Sequence, residues 1–222
     1  MKEPIETLLR ANAAVYDRVR TLSPVGMTER ALKERILSVY RETLGTFTFC
    51  GDIVTGPRSA VGEGDATDRV IQPGDAILLD LLPYHNGTCC DTTRTFFAGS
   101  VSAHQRDIYA LVRRALEEGA SCLRPGVRAS EVYAAVRDRL RPYEDTFFHH
   151  AGHRITGRRL VQPQFLPDRQ TRLRVGDIVT LEPGLYIGDS FGIRLENNFR
   201  ITEDGCECLF SYPLTIENFI TR

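Results

Sequence analysis

The sequence predicts an α+β fold in which two related halves, about residues 5–100 and 107–205, build a single domain over residues 1–222. The first observation is that each half opens with two amphipathic helical patterns joined by a turn that contains Pro and Gly. The second is that each half continues with short β-prone runs that end in a carboxylate at matching places. No linker composition interrupts the chain between the halves. We therefore expect two pseudo-symmetric α/β halves around a curved antiparallel sheet.

Helical spacing of apolar residues opens both halves. The predicted helices are Ile5–Val19 and Arg30–Thr43 in the first half, and Asp107–Ala120 and Ser130–Leu140 in the second. Thr28 and Ser130 stand at matching places near the start of the second helix of each pair, and a glutamate follows each of them. Since a hydroxyl side chain caps the first amides of a helix and an acid suits its first turn, both residues are predicted N-caps.

Two pairs of β-prone runs repeat between the halves. Gly74–Asp80 matches Gly176–Glu182, and Gly87–Asp91 parallels Gly192–Glu196, so each run ends in a carboxylate. The Arg-rich segment Arg154–Arg174 shows no such pattern and is expected to run over the surface near the site.

The turn that follows Asp80 brings two acids together. Residues 83–87 end in Asn86-Gly87, a pair typical of tight hairpin turns. The chain would then return antiparallel and place Asp91 beside Asp80 on one face of the sheet. Two buried carboxylates without compensation repel each other by several kcal/mol, so a cation is expected between them.

The same requirement for a cation arises in the second half. Glu182 and Glu196 end its matching runs, and His153 would supply a nitrogen ligand from between the halves. Any one of these acids alone would suit a turn or a strand end at the surface, but four at duplicated positions favour a metal site. Four carboxylates and one imidazole suit two divalent cations about 3.5–4 Å apart, namely Mn²⁺, Co²⁺, Fe²⁺ or Zn²⁺. The predicted ligands are therefore Asp80, Asp91, His153, Glu182 and Glu196.

Composition excludes several classes of function. Lys and Arg number 28 and Asp and Glu 29, so the net charge of −1 gives no basis for nucleic acid or an anionic membrane as a partner. No apolar run approaches the roughly 20 residues that span a bilayer, and the charged N-terminus lacks the apolar stretch of a secretory signal. A cytoplasmic location is expected, with the six cysteines as reduced thiols.

The residues assembled so far resemble the pita-bread (creatinase/methionine aminopeptidase-like) metallopeptidases, which include methionine aminopeptidase, aminopeptidase P and prolidase. The resemblance covers nearly the whole chain, and its most specific stretches are Asp91–Phe96, Thr180–Tyr186 and Gly192–Asn197. These look closer to the proline-peptidase branch, the Xaa-Pro dipeptidases and aminopeptidase P. Gly56–Ala60 and Thr67–Arg69 fit the same branch. The fold and activity that the resemblance implies are a pita-bread domain that cleaves short peptides with a metal-bridging hydroxide.

The resemblance also implies a role for each predicted ligand. Asp80 would chelate one metal, and Asp91 and Glu196 would bridge both. His153 would bind the other metal. Glu182 would be both a ligand and the base for the attacking water.

Further positions match residues around the metals of the family. Tyr186 and Arg194 match groups that hydrogen-bond near the ions, and His149 matches a histidine that lines the substrate site. Arg94 is expected to support the strand pair. His150 receives no role. The resemblance leaves the oligomeric state open and allows a homodimer.

Two departures from the family bear on activity. The family has a Pro-His pair before the first strand, where this chain has Gly62-Glu63, and a second histidine after its metal histidine, where this chain has Leu160. Losing one donor that stabilises an oxyanion typically costs about 100- to 1000-fold in rate. Three functions therefore stay open: an Xaa-Pro peptidase, a metal-dependent enzyme acting on a non-peptide small molecule, and a binding homologue that has lost catalysis. In the second, Glu63 would be an acid/base or would pair a cationic group; a solvated loop acid explains it equally well.

Overall fold

The computed structural model describes residues 4–156 and 159–222, without the side chains at positions 144, 156 and 159–161. Within those ranges four α-helices form two packed pairs, and none of them is long and apolar enough to cross a membrane. The helices are α1 (Ile5–Thr21), α2 (Glu29–Leu44), α3 (Ala103–Cys122) and α4 (Ala129–Leu140).

Every strand pairing within the described sheets is antiparallel, and helices and sheets share one apolar core. The predicted α+β class is therefore confirmed. Two sheets carry the site, with strand orders β2-β3-β6 and β13-β12-β9-β7-β8. Two smaller sheets have the orders β1-β4-β5 and β10-β11. The strands are β1 (Thr48–Phe49), β2 (Ile53–Thr55), β3 (Ala76–Leu81), β4 (Pro83–His85), β5 (Thr88–Cys89), β6 (Thr92–Phe97), β7 (His153–Thr156), β8 (Arg159–Gln164), β9 (Ile178–Leu181), β10 (Gly184–Ile187), β11 (Phe191–Arg194), β12 (Asn197–Ile201) and β13 (Cys206–Cys208).

One of the two predicted helix caps is correct. The Thr28 hydroxyl accepts a hydrogen bond from the Ala31 amide at the start of α2. The prediction for Ser130 is wrong, because α4 already begins at Ala129 and its N-cap is Arg128. There the Glu131 carboxylate accepts from the Arg128 amide at 2.9 Å, so the acid satisfies the helix terminus without the hydroxyl.

The predicted hairpin turn is present, but it joins different strands. Asn86 and Gly87 both have positive φ, 47° and 79°, and connect β4 to β5. The interpretation of residues 83–87 as a turn alone is therefore wrong, since Pro83–His85 forms β4. In the main sheet β3 pairs directly with β6, and Asp80 lies opposite Thr93 instead of Asp91.

The segment predicted to run over the surface is partly incorporated in a sheet. Residues 154–156 continue β7, and β8 pairs with that strand. The Phe165 amide donates to the Gly152 carbonyl, and the Phe165 and Leu173 side chains are buried. The prediction is wrong for these parts, because apolar anchors spaced too irregularly for a recognisable period pack into the core. Residues 157–158 of the segment lie outside the described ranges.

Buried polar side chains of α1 fix the ends of β3 and β6. The Asn12 amide donates to the Leu81 carbonyl at 2.9 Å and to the Thr92 hydroxyl at 2.8 Å. The Tyr16 hydroxyl donates to the Thr92 carbonyl at 2.9 Å. A buried network in which each group has a partner is rigid, so α1 holds in place the strand ends next to the predicted ligands.

Candidate metal centre

The five predicted ligands converge on one region between the two main sheets. Asp80 lies near the end of β3, Asp91 just before β6 and His153 at the start of β7. Glu182 follows β9 directly, and Glu196 directly precedes β12. A cavity of about 410 Å³ opens here, and four of the five line it, the exception being Glu196. The ligand atoms of Asp91, His153 and Glu196 lie within 4.8 Å of one another.

His153 presents one ring nitrogen to two carboxylates. Its Nδ1 lies 3.2 Å from the Arg154 carbonyl oxygen, which assigns the ring proton to that nitrogen. Nε2 then carries a lone pair and lies 3.5 Å from both Asp91 Oδ2 and Glu182 Oε1. A lone pair that faces two carboxylate oxygens is an arrangement that a cation stabilises.

The residue before His153 has to be glycine. A Cβ at Gly152 would overlap the Thr180 carbonyl oxygen of the neighbouring strand. We expect Gly152→Ala to lower the free energy of unfolding by about 1–3 kcal/mol, because backbone atoms cannot move aside cheaply. Urea unfolding measures this, with Gly205→Ala as the control, since a Cβ at Gly205 meets nothing within 4 Å. Equal stability of the two variants would contradict the steric argument.

Two threonines that the sequence analysis did not single out hold the glutamates. The Thr93 hydroxyl donates to Glu196 Oε2 at 2.8 Å, and the Thr180 hydroxyl donates to Glu182 Oε1 at 3.1 Å. Thr180 also accepts from the His153 amide at 3.0 Å. Strand alternation was the available signal, because Thr180 lies two residues before Glu182 and so shares its face.

Arg194, Tyr186 and His149 form a hydrogen-bonded chain along the cavity wall. Arg194 donates to Asp80 Oδ2 at 2.7 Å and to the Tyr186 hydroxyl oxygen at 2.9 Å. The Tyr186 oxygen lies 2.8 Å from His149 Nε2, and His149 Nδ1 lies 2.7 Å from the His150 carbonyl oxygen. The tautomer with the proton on Nδ1 satisfies both contacts, so Tyr186 donates to Nε2. Burial lowers the pKa of His149 to about 4, which keeps this ring neutral at neutral pH.

Three of the converging carboxylates have raised pKa values. Burial raises the pKa of Asp91 and of Glu196 well above the ordinary values, and the neighbouring acids raise both further. Burial also raises the pKa of Asp80, although the Arg194 guanidinium opposes it. One oxygen of each carboxylate, namely Asp80 Oδ1, Asp91 Oδ1 and Glu196 Oε1, is buried without a hydrogen bond to any described residue. Orphaned carboxylate oxygens and mutual repulsion are what bound dications would relieve, so these residues fit a metal pair.

Glu182 differs from the other three acids. Burial alone would raise its pKa, but His150, His153, His149 and Arg194 together outweigh burial and lower it. Glu182 is therefore the carboxylate of this group that ionises most readily, which suits a proton acceptor.

Glu63 lies on the rim of the cavity and is exposed. The buried Glu29 carboxylate connects the two ends of the segment that contains Glu63. It accepts from the Thr55 amide and from the Thr67 amide, both at 2.9 Å. Gly62, next to Glu63, gives its carbonyl oxygen to Arg194 at 2.8 Å. Glu63 is thus fixed at the entrance by contacts of its neighbours. The side chain of Leu160, the other departure, lies outside the described residues.

His150 lines the cavity as well, although the sequence analysis assigned it no role. Its Nδ1 lies 3.4 Å from Glu182 Oε1. The residue belongs to no helix or strand, so no periodicity could indicate which way its side chain points.

Comparison with known proteins identifies the family. The profile of metallopeptidase family M24 (Peptidase_M24) matches residues 3–203. An uncharacterised peptidase of Bacillus subtilis, YqhT, is 32% identical over 202 residues, which are 89% of this chain and 57% of that protein. The Xaa-Pro dipeptidase of Pyrococcus furiosus is 35% identical over 159 residues, 71% of this chain and 46% of that one. The chain thus spans about half the length of these curated relatives.

Solved structures agree in fold. The X-Pro aminopeptidase of Thermotoga maritima superposes with a TM-score of 0.92 at 26% identity, covering 98% of this chain and 61% of that one. The prolidase of Pyrococcus furiosus superposes with a TM-score of 0.86 at 29% identity, covering 94% and 63%. The predicted pita-bread fold is therefore confirmed, and the chain belongs to metallopeptidase family M24.

Proposed function

We propose that the chain is a metal-dependent hydrolase of the Xaa-Pro peptidase type that acts on short peptides. The observation that carries the proposal is the convergence of four carboxylates and one imidazole, of which all but the partly exposed Asp80 are buried. Three carboxylate oxygens are left without a hydrogen bond among the described residues. The relatives named as Xaa-Pro dipeptidase and prolidase support the substrate class.

Two divalent cations, Mn²⁺, Co²⁺, Fe²⁺ or Zn²⁺, would be held by the predicted ligands. When bound, such cations activate water and polarise a carbonyl group. Asp80 would serve one cation, His153 the other, and Asp91 and Glu196 both. The histidine and threonine contacts already described orient these ligands before any metal arrives.

The chain's own residues would then move the proton and orient the substrate. Glu182, whose pKa lies below its ordinary value, accepts a proton from the attacking water and returns it to the leaving amine. Arg194 holds Asp80 in place, and Tyr186 is fixed between Arg194 and His149. Positioning of this kind lowers the activation free energy, because these side chains do not have to reorient during the reaction.

An apolar wall at the entrance suits the substrate side chain. Phe148 is 62% exposed, and its ring centroid lies 4.7 Å from that of Tyr186. Val61 is also 62% exposed and lines the same cavity. Apolar and aromatic side chains in a pocket bind the apolar parts of a ligand, and the proline ring of an Xaa-Pro peptide is such a part.

The test is cleavage of defined peptides by the metal-loaded protein. The manganese and cobalt forms are incubated with Xaa-Pro dipeptides, longer Xaa-Pro peptides and matched peptides that carry alanine in place of proline. We expect cleavage of the bond before proline, and slower cleavage of the alanine series. A sample with two metals per chain that cleaves none of them would contradict the proposal.

A second candidate keeps the metals and changes the substrate to a non-peptide small molecule with a cationic group. The fixed position of Glu63 at the rim favours it. We expect Glu63→Gln to raise KM by about tenfold and leave kcat nearly unchanged, because the residue would contribute binding alone. Asp65→Asn, which removes a nearby exposed charge of the same loop, is the control. If Glu63→Gln leaves every measurable activity unchanged, Glu63 is an ordinary loop acid.

A further inference from the structure

His150, like three of the predicted metal ligands, has a buried side-chain polar atom without a hydrogen bond to any described residue. At the centre, four buried side-chain atoms have no hydrogen bond to any described residue, and three of these are the carboxylate oxygens of Asp80, Asp91 and Glu196. The fourth is His150 Nδ1. A buried polar atom without a hydrogen-bond partner is destabilising, so the presence of one beside three others requires an explanation.

Glu182 lies at nearly the same distance from a ring nitrogen of His150 as from one of His153. Glu182 Oε1 lies 3.4 Å from His150 Nδ1 and 3.5 Å from His153 Nε2. Two ligand atoms that bind one cation at about 2.1 Å, with an angle of about 90–110° between them, lie about 3.0–3.4 Å apart. His150 Nδ1 therefore lies as close to Glu182 as a ligand of the same cation would.

A direct hydrogen bond does not account for this contact. His150 Nδ1 and Glu182 Oε1 lack hydrogen-bond geometry, and Oε1 already accepts from the Thr180 hydroxyl at 3.1 Å. The backbone of His150 is tied to its neighbour, since the His150 carbonyl oxygen accepts from His149 Nδ1 at 2.7 Å. The His150 ring centroid lies 5.5 Å from that of His153, at an interplanar angle of 84°. The imidazole thus lies beside the carboxylate without a hydrogen bond to it.

We propose that His150 is an additional metal ligand that coordinates through Nδ1 and keeps its proton on Nε2. This inference rests on the proposed metal centre and extends it to two imidazoles and four carboxylates. An added nitrogen ligand favours Zn²⁺ and Co²⁺ over Mn²⁺, because imidazole suits the former while carboxylate and water suit the latter. The centre is therefore expected to prefer Zn²⁺ and Co²⁺.

Metal affinity of a matched set of variants provides the test. Chelator competition measures the dissociation constants of Zn²⁺, Co²⁺ and Mn²⁺ for the wild type, His150→Gln, His153→Gln and His104→Gln. His104 packs against Phe191 and does not line the cavity, so its variant controls for removal of a histidine. We expect His150→Gln to weaken Zn²⁺ and Co²⁺ binding by at least about tenfold, the lower bound for perturbing a metal site, and Mn²⁺ binding by less. The visible spectrum of the Co²⁺ form should change as well.

Nuclear magnetic resonance of the wild type keeps the test independent of variant folding. In ¹⁵N-histidine-labelled protein, Zn²⁺ should shift His150 Nδ1 as it shifts His153 Nε2. If His150 Nδ1 does not respond and His150→Gln binds metals like His104→Gln, while His153→Gln loses them, this inference is wrong and the centre stands. If His153→Gln also binds normally, the proposed centre itself is wrong.

Discussion

Glu182→Gln is expected to lower kcat/KM by about 100- to 10,000-fold, the range for loss of a positioned general base. Glutamine keeps the volume of the side chain, and its amide oxygen can still accept from the Thr180 hydroxyl. The variant should therefore fold while losing both the proton acceptor and one carboxylate ligand. Steady-state kinetics on any peptide that the wild type cleaves measures the loss.

The matched control for this variant is Glu203→Gln. Glu203 is exposed in the turn between β12 and β13 and does not line the cavity. Its variant should retain wild-type kinetics. If Glu182→Gln retains about a tenth or more of the activity with a full complement of metal, Glu182 is not the base.

Glu196→Gln is expected to stabilise the metal-free protein and to destabilise the metal-bound protein relative to the wild type. The pKa of Glu196 in the folded chain lies well above its ordinary value of 4.5, mainly through burial. The contribution of protonated Glu196 to the stability of the fold is therefore fully present below about pH 4.5. It is lost as the pH rises through the pKa of Glu196 in the folded chain. Glutamine cannot ionise, so the metal-free variant should be the more stable protein at neutral pH. The gain is expected to be about 1–3 kcal/mol, the usual cost of a buried group without a partner.

Thermal unfolding in chelator, between about pH 5 and 8, measures this difference. The melting temperature of Glu196→Gln minus that of the wild type should increase with pH. In excess metal the order should invert, because the wild type binds the cations more tightly and binding stabilises the folded state. Glu207→Gln, an exposed acid on β13, should show neither trend. A constant difference across the pH range would mean that Glu196 carries no uncompensated charge.

The convergence of the site could be predicted from sequence because each half repeats the same local pattern. An apolar run that ends in a carboxylate puts that acid at the end of a buried strand, whatever the partner of the strand. Asp80 and Glu182 illustrate this, since each lies at the end of a strand and lines the cavity. The roles of the predicted ligands, the single domain of two halves, the cytoplasmic location and the homodimer stay predictions.

The register around Asp80 could not be predicted, because the hairpin signal at Asn86-Gly87 is local. It indicates a turn and says nothing about how many residues separate that turn from the main sheet. In the fold, β4 and β5 pair with each other outside the sheet of β3 and β6, and β4 also pairs with β1. Asp91 nevertheless stays on the Asp80 face, because it lies two residues before Thr93, the partner of Asp80.

The contacts that complete the site also depend on distant parts of the chain. The Asn198 side chain bonds to both backbone groups of Asp91, 107 residues away in sequence. It accepts from the Asp91 amide at 3.3 Å and donates to the Asp91 carbonyl oxygen. His150 is similar, since the adjacent Ala151 bonds through its backbone to Phe165 and to Glu182, which are distant in sequence. No pattern in a single sequence carries such information, because these contacts depend on how distant strands pack in three dimensions.

The most direct test of the metal centre is anomalous diffraction from crystals soaked in Mn²⁺ or Co²⁺. Two anomalous peaks, about 3.5–4 Å apart, are predicted among the side chains of the five ligands. The absence of any peak among these side chains at saturating metal would contradict the account.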